Sequence, residues 1–383
     1  MNPVVITGIG AVSCRGAGAD RLWQAMAEGA AKPPEPLTDP HAAMPVRLLH
    51  RVADGELPAP ESGRIGRASL LAIGAAREAI ADAGLDLANE ARPGIVTGTC
   101  VGDSGLLESW RCGGGVPGDE TASPFAVTAA LAGEFGVAAH TATPGNACAA
   151  GGFALTMAAD LIADGDAEVV LCGGADAYSR VMLGAFNRMG ALDPVRCRPF
   201  DQHRRGAVFG EGAGMLVLES AGHAAARGQR PLATLDGSGW SCDAHHSTAP
   251  EPSGTQITRA MREALAAAAV NQVGCVIPHG TGTERNDVVE SQALVSVVGD
   301  QVPVYSLKAL LGHTSGASAA LAAVAAVLML RHRRVPPNAP IGEQDPECKV
   351  KLPVDSTELG GPVLVNAYAF GGNNVSLVLG RAA

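Results

Sequence analysis

Short runs of apolar residues alternate along this chain with longer stretches of helical spacing. Val4-Val5-Ile6-Thr7 predicts a buried strand, followed at once by Gly8-Ile9-Gly10. Asp20 stands as an N-cap for a helix to about Glu28. Residues 31–62, rich in proline and polar side chains, read as a loop. Across 64–83, Ile65, Leu70, Ile73 and Ile80 recur at helical spacing, and Gly84 gives a C-cap signal. Ile95-Val96-Thr97 predicts a strand, and 100–125 is glycine-rich and irregular. From Cys148 to Asp164 the residues are apolar on nearly every side, so that helix must be buried. Strands are predicted at Val169-Val170-Leu171, from Ala213 to Leu218 and at Cys275-Val276-Ile277. Between the last two lie a polar loop, 236–254, and a helix around 256–269. A second all-apolar helix spans about Gly316 to Leu330, and Val363-Leu364-Val365 and Val375 to Leu379 flank a glycine-rich loop. Short apolar strands alternating with helices predict an α/β protein with largely parallel sheets covered on both faces.

One internal echo stands out. Cys148-Ala149-Ala150-Gly151 precedes one long buried helix, and His313-Thr314-Ser315-Gly316 precedes the other. The spacing predicts a duplicated α/β unit, each copy presenting one reactive side chain from a helix N-terminus.

Length and charge narrow the field. The 383 residues suffice for two domains or one large duplicated one. Hydrophobic content of 47% against 17% charged excludes disorder over most of the chain. A net charge of −10 argues against a general nucleic-acid or anionic-membrane surface. An acidic partner would need a local basic patch. Arg64 and Arg67 offer one, or simply a solvated helix face. No 18-residue uncharged apolar run occurs, and the first residues lack a basic signal-peptide region. Nine scattered cysteines without a C-x-x-C pair read as reduced thiols of a cytoplasmic protein.

Among the cysteines, context singles out Cys148. A Pro144-Gly145 loop leads it into a helix N-terminus, where free amides and the helix dipole stabilise a thiolate. The competing reading is a buried structural cysteine. His279 ends a strand and is followed by Gly280-Thr281-Gly282-Thr283, a tight exposed turn suited to a group that meets substrate. Ser306 to His313 carries Lys308 and a second histidine. Either histidine alone would more often be structural; with Lys308 and Cys148 the functional reading wins. Gly8 and Gly10 lack the third glycine of a dinucleotide fingerprint, since position 13 is Ser13. The glycines of 210–214 lack the lysine of a phosphate loop. Asp243, His245 and His246 fit a pocket rim or solvent better than a metal site.

Four motifs in one order then resemble the β-ketoacyl-acyl carrier protein synthases. His279 to Thr283, with Asn286, Asp287 and Glu290, resembles the family's first histidine motif. Lys308 to His313, with Gly316-Ala317, resembles its lysine–histidine motif. Arg198-Pro199-Phe200-Asp201 with Gly210 to Gly214, and Phe370-Gly371-Gly372 with Asn374, resemble its central signature and C-terminal glycine loop. The resemblance runs from Val4 to Gly380. It implies a thiolase-like fold: duplicated βαβαβαββ halves in five α-β-α-β-α layers, with 1–248 carrying the nucleophile and 249–383 the two histidines. It implies that Cys148 takes an acyl chain from a carrier-protein thioester. His279 and His313 would then assist decarboxylation of a malonyl thioester. The amides of Cys148 and Phe370 would form an oxyanion hole, with Phe370 and Gly371 at the pocket gate and Thr281 and Thr283 against substrate. Lys308 and Glu290 would form a supporting ion pair. No metal or organic cofactor is implied, because phosphopantetheine arrives on the acyl carrier protein. The implied assembly is a homodimer or a heterodimer with a chain-length-factor-like subunit.

The alternatives are an acyltransferase of the same fold that forms no carbon–carbon bond, a non-catalytic chain-length partner, and a metallohydrolase. Three departures from the family pattern are Asn146 for threonine or serine, Ala309 for serine or threonine, and Ala369 for glycine before Phe370. Alanine at 369 penalises the positive φ that glycine visits cheaply, which predicts a gate that moves less or differently. The stretch from Cys100 to Val137 is shorter than in housekeeping members, which favours a specialised polyketide or polyene pathway.

Overall fold

The computed structural model describes residues 3–59, 65–114 and 123–382. Arg64 lies outside them, as does 115–122 within the shortened stretch. The main strands are β1 (Val4–Ser13), β2 (Pro93–Gly98), β3 (Thr141–Ala142), β4 (Val169–Asp176), β5 (Gly212–Ser220), β6 (Ala233–Cys242), β7 (Cys275–Ile277), β8 (Val363–Ala369) and β9 (Asn373–Arg381). The longer helices are α1 (Ala19–Glu28), α2 (Arg67–Ala83), α3 (Ser104–Arg111), α4 (Ala126–Phe135), α5 (Ala150–Ala163), α6 (Arg180–Arg188), α7 (Thr255–Ala267), α8 (Glu284–Val298) and α9 (Ser318–His332).

The strands run in the order β7-β8-β9-β6-β1-β5-β4-β2-β3. The two halves of that series repeat one plan. β1 pairs antiparallel with β5, β5 antiparallel with β4, and β4 parallel with β2. β6, β9, β8 and β7 pair in the same senses. Among the described residues the strands of the two halves pair at just Val5–Thr234 and Ile6–Ala233 on β1 and β6, a narrow joint at which one continuous ladder divides into two sheet layers. Five of the eight neighbour pairings are antiparallel, which corrects the expectation of largely parallel sheets. Apolar runs show that a strand is buried on both faces, not which way its neighbour points. The boundary drawn at 248 falls in the loop after β6.

α5 and α9 fill the space between the sheets: α5 rests on β2 and β4, and α9 on β5 and β8. α2 and α4 cover the outer face of the first sheet, and α7 and α8 that of the second. Five α-β-α-β-α layers result. The segment Ser315–His332 is long and apolar enough to cross a membrane, yet it is 89% buried in the middle layer.

The duplication reaches single residues. On β1, a methyl group at Gly8 would stand 2.0 Å from the Ala79 carbonyl oxygen of α2, and one at Gly10 1.9 Å from that of Ala75. On β6, the same test puts Gly237 2.4 Å from the Ala264 oxygen of α7 and Gly239 2.2 Å from that of Ala260. Each half therefore seats a helix backbone on a G-x-G strand. The expectation of a polar loop across 236–254 is corrected on this ground: β6 occupies its first part, and its glycines make helix contacts. Helix α1 also starts at Ala19, with Gly18 rather than Asp20 as N-cap.

Gly10→Ala is expected to destabilise the fold by about 3 kcal/mol, the upper end for overpacking against a backbone that cannot yield. Gly184→Ala in α6 meets nothing nearer than the Met44 methyl at 3.8 Å. It should be neutral or stabilising by up to about 1 kcal/mol. Urea unfolding of the two variants beside wild type measures both.

Candidate active site

The reactive side chains stand where the chain turns into a buried helix or leaves a strand. Cys148 occupies a 3₁₀ turn, Ala147–Ala149, at the head of α5. Ala147 takes φ +47°, uncommon for a residue with a Cβ, and this sharp turn presents the sulfur. A matching 3₁₀ turn, Ser315–Ala317, heads α9, with Ser315 at φ +52°. The structure thus aligns Cys148 with Gly316, whereas the echo in the sequence aligned it with His313. The histidine sits three residues upstream and reaches across.

His313 Nε2 lies 3.1 Å from Cys148 Sγ, and its Nδ1 lies 3.0 Å from Ser318 Oγ at the start of α9. The ring lies parallel to Phe209 at 5.5 Å. His279 follows β7, and its ring stands 5.6 Å from His313 at 86°. His279 Nδ1 is buried without a hydrogen-bond partner among the described residues. Cys148, both histidines, Thr281, Thr283, Phe370 and Gly371 line one cavity of about 440 Å³. The two threonine hydroxyls are 2.9 Å apart. Asp243 and His246 line the same cavity.

Lys308 and Glu290 sit behind this lining, and the expected ion pair between them does not form. Glu290 accepts the amides of His279 and Gly280, both at 2.7 Å. The Lys308 ammonium donates to the His279 carbonyl. The two side chains clamp one peptide segment from its two ends and so fix the imidazole. Burial pushes Glu290 up to about 7, against the pull of those amides. Burial lowers Lys308, opposed by the negative charge of Glu290.

The thiol and the imidazole are tuned in a common direction. Cys148 is held well below the ordinary cysteine range, first by its neighbour Cys100 and then by His313 and Lys308, and these outweigh burial. His279 is pushed well below its usual value by burial and by the charges of Lys308 and His313, so it is neutral near pH 7.

Several contributors carry no sequence motif. Phe186 of α6 stacks on Phe370 at 5.0 Å and meets Phe209 edge-on at 4.8 Å, which links Phe370 to the His313 ring. The buried Asp176 at the end of β4 accepts from Thr99 Oγ1 and the amides of Cys100, Val101 and Gly316, at 2.6–3.1 Å. An acid closing the apolar run Val169 to Ala175 was the one available signal for it. Ala369 is extended at φ −137°, so alanine there costs nothing. The positive angles fall on Gly371 (+82°) and Gly372 (+77°). Arg67 is engaged by both Glu211 oxygens at 2.8 Å and by Asp54 at 2.7 Å, so its guanidinium is committed within the fold.

Two family models cover most of the chain: the β-ketoacyl synthase N-terminal domain over residues 1–224 and the C-terminal domain over 232–341. The chain belongs to the β-ketoacyl synthase family. It is a condensing enzyme of the acyltransferase class. It is 37% identical to nodulation protein E of Rhizobium leguminosarum bv. trifolii, over 98% of each chain. It is 34% identical to the 3-oxoacyl-[acyl-carrier-protein] synthase 2 of Synechocystis sp., over 98% of this chain and 97% of that one. The solved ishigamide ketosynthase/chain length factor matches it with a TM-score of 0.88 and 36% identity, over 100% of each chain. This synthase thus shares the ketosynthase fold along its whole length.

Two outcomes follow from the electrostatics. At about pH 6.5, iodoacetamide should alkylate Cys148 ahead of Cys14, Cys197, Cys275 and Cys348, because only a thiolate attacks. Burial holds those four at about 11 to 12. Peptide mapping of the label reads the order. For Glu290, the folded value of about 7 exceeds the ordinary 4.5. Its contribution to stability is full below 4.5 and is lost as pH rises toward 7. Glu290→Gln should therefore flatten the decline of stability across that window, as followed by urea midpoints at a series of pH values.

Proposed function

We propose that this synthase catalyses decarboxylative Claisen condensation between an acyl-Cys148 thioester and malonyl-acyl carrier protein, in a specialised type II polyketide or polyene pathway. The observation that carries the reading is the placement of the Cys148 sulfur 3.1 Å from His313 Nε2, with His279 in the same cavity. In the first half-reaction the Cys148 thiolate attacks the acyl carrier thioester and the carrier thiol leaves. In the second, the malonyl carboxylate departs as carbon dioxide. The thioester oxygen gathers enolate charge, where His279 and His313 donate hydrogen bonds. A neutral His279 suits that role, because it donates without forming an ion pair that would hold the malonyl carboxylate. The α-carbon then attacks the acyl carbonyl, whose oxygen receives the amides of Cys148 and Phe370. Cys148 leaves as thiolate, and the product is two carbons longer.

Lys308 and Glu290 act through the backbone of His279 rather than as acid and base. Phe370 and Gly371 gate the cavity, and Thr281 and Thr283 hold the arm of the incoming carrier. The chemistry requires no metal or organic cofactor. The relation to an acyl-carrier-protein synthase supports the carrier protein as partner. The relation to a ketosynthase/chain length factor supports a dimer, with a second copy or with a subunit of that kind. We place the enzyme in the cytoplasm.

Intact-mass spectrometry with acyl carrier protein, then with malonyl carrier protein, tests the reading. Wild type should gain the acyl adduct, then release carbon dioxide and an extended chain; Cys148→Ala should gain no adduct. His279→Ala should keep acylation and lose condensation by about 100- to 1000-fold. Acylation without elongation, with any partner subunit present, would turn the reading to acyl transfer alone.

A further inference from the structure

The gate loop is tied on two sides. On the outer side, Gly371 N–H donates to the Ser247 carbonyl at 2.8 Å, and Asp243 N–H donates to the Gly372 carbonyl at 2.9 Å. On the side of the nucleophile, two described hydrogen bonds run through the side chains of two asparagines. Asn146 Nδ2 donates to Asn373 Oδ1 at 3.3 Å, and Asn373 Nδ2 donates to the Phe370 carbonyl at 3.4 Å. Asn146 is the residue before the strained Ala147, two before Cys148. Asn373 opens β9, directly after the loop. A single relay therefore joins the turn that presents the sulfur to the backbone of the residue whose ring closes the cavity.

The relay has the character of a catch. Both bonds are neutral and sit at the long end of hydrogen-bond geometry, and both asparagines are only half-buried, so water can replace the bonds at low cost. The loop they hold can move, because Gly371 and Gly372 supply left-handed conformations that a side chain would penalise. Against the catch, the Phe370 ring lies flat on Phe186 and lines the cavity that also holds the sulfur.

We propose that Asn146 and Asn373 form a latch that holds Phe370 in its closed position, so that its release, rather than the depth of the cavity, limits how readily a long acyl chain reaches Cys148. A short chain fits with the ring in place. A long chain needs the Phe370 backbone to shift, and this breaks the relay. Asn146 and Asn373 are positioning residues that set chain-length preference through Phe370. The inference rests on the condensing reading for its acyl substrate but not for its test.

The test separates the two. Cys148 is alkylated with iodoacetamide and with a long N-alkyl iodoacetamide, which requires no carrier protein, and acylation by short and long acyl carrier thioesters is run in parallel. Asn146→Ala cuts the first bond. Asn373→Asp keeps the acceptor for Asn146 but sets an oxygen against the Phe370 carbonyl. Each should raise the long-to-short rate ratio by roughly 2- to 10-fold, the range for one neutral hydrogen bond. The double variant Asn146→Ala/Asn373→Ala should gain no more than either single one, because the bonds are links in series. Unchanged iodoacetamide reactivity would show that the nucleophile itself is intact. An unaltered long-to-short ratio in all variants, or additive effects in the double variant, overturns the latch. Absence of acylation in wild type, with the alkylation ratio shifted as expected, would instead overturn the condensing reading and leave the latch standing.

Discussion

The site depends on the contact between the heads of two buried helices. A methyl group at Gly151 of α5 would stand 2.6 Å from the Gly316 carbonyl oxygen, and one at Gly316 would stand 2.7 Å from Asp176. With glycine at both places the helix heads touch, and the thiol of one comes within reach of an imidazole belonging to the other. Any added atom would part them and lengthen the 3.1 Å contact between sulfur and nitrogen. The alanines of α5 and α9 extend the same economy along the middle layer, since small side chains let two sheets close on one pair of helices. The G-x-G strands do likewise on the outer faces, so close backbone approach is the common device of all five layers.

That closeness is what makes the electrostatics effective. The groups around Cys148 are shielded from water, so an ammonium, an imidazole and a second thiol act on it at short range in a medium that screens them little. The same shielding is costly for each charged group, and every one has a local remedy. Glu290 takes two amides, Lys308 a carbonyl, and Asp176 three amides and a hydroxyl. These three are held chiefly by backbone rather than by one another.

The candidate residues that the fold gathers in one cavity were legible in the sequence because chemistry constrains them locally. Cys148 at a helix head, His279 at a strand end and Lys308 with His313 on one turn stand out when taken together, since each alone also fits a structural role. The duplication was legible too, but its register was not, because the left-handed residues that align the turns, Ala147 and Ser315, look like any others in one dimension. Strand direction was hidden for a similar reason: β1 meets β5 some two hundred residues later. β6 was lost because Asp236, Gly237, Ser238 and Gly239 are poor strand formers, and the ladder to β9 with the backbone of α7 makes them one. Helix α8 was passed over since Asp287 and Glu290 turn inward to serve the site and interrupt its apolar stripe. Function, in that instance, masked structure.

Asp176 shows what became of the second copy. Its carboxylate accepts the amide of Gly316, the residue that the paired turns match to Cys148. The first helix head faces a cavity; the equivalent head in the second half is occupied by a carboxylate from the protein itself. Two identical halves would have offered two anion-binding nests. In this molecule the first head opens on the cavity, and a carboxylate of the fold fills the second. The two helix heads thus differ here by a single side chain, which makes the second a rivet between the halves of the fold.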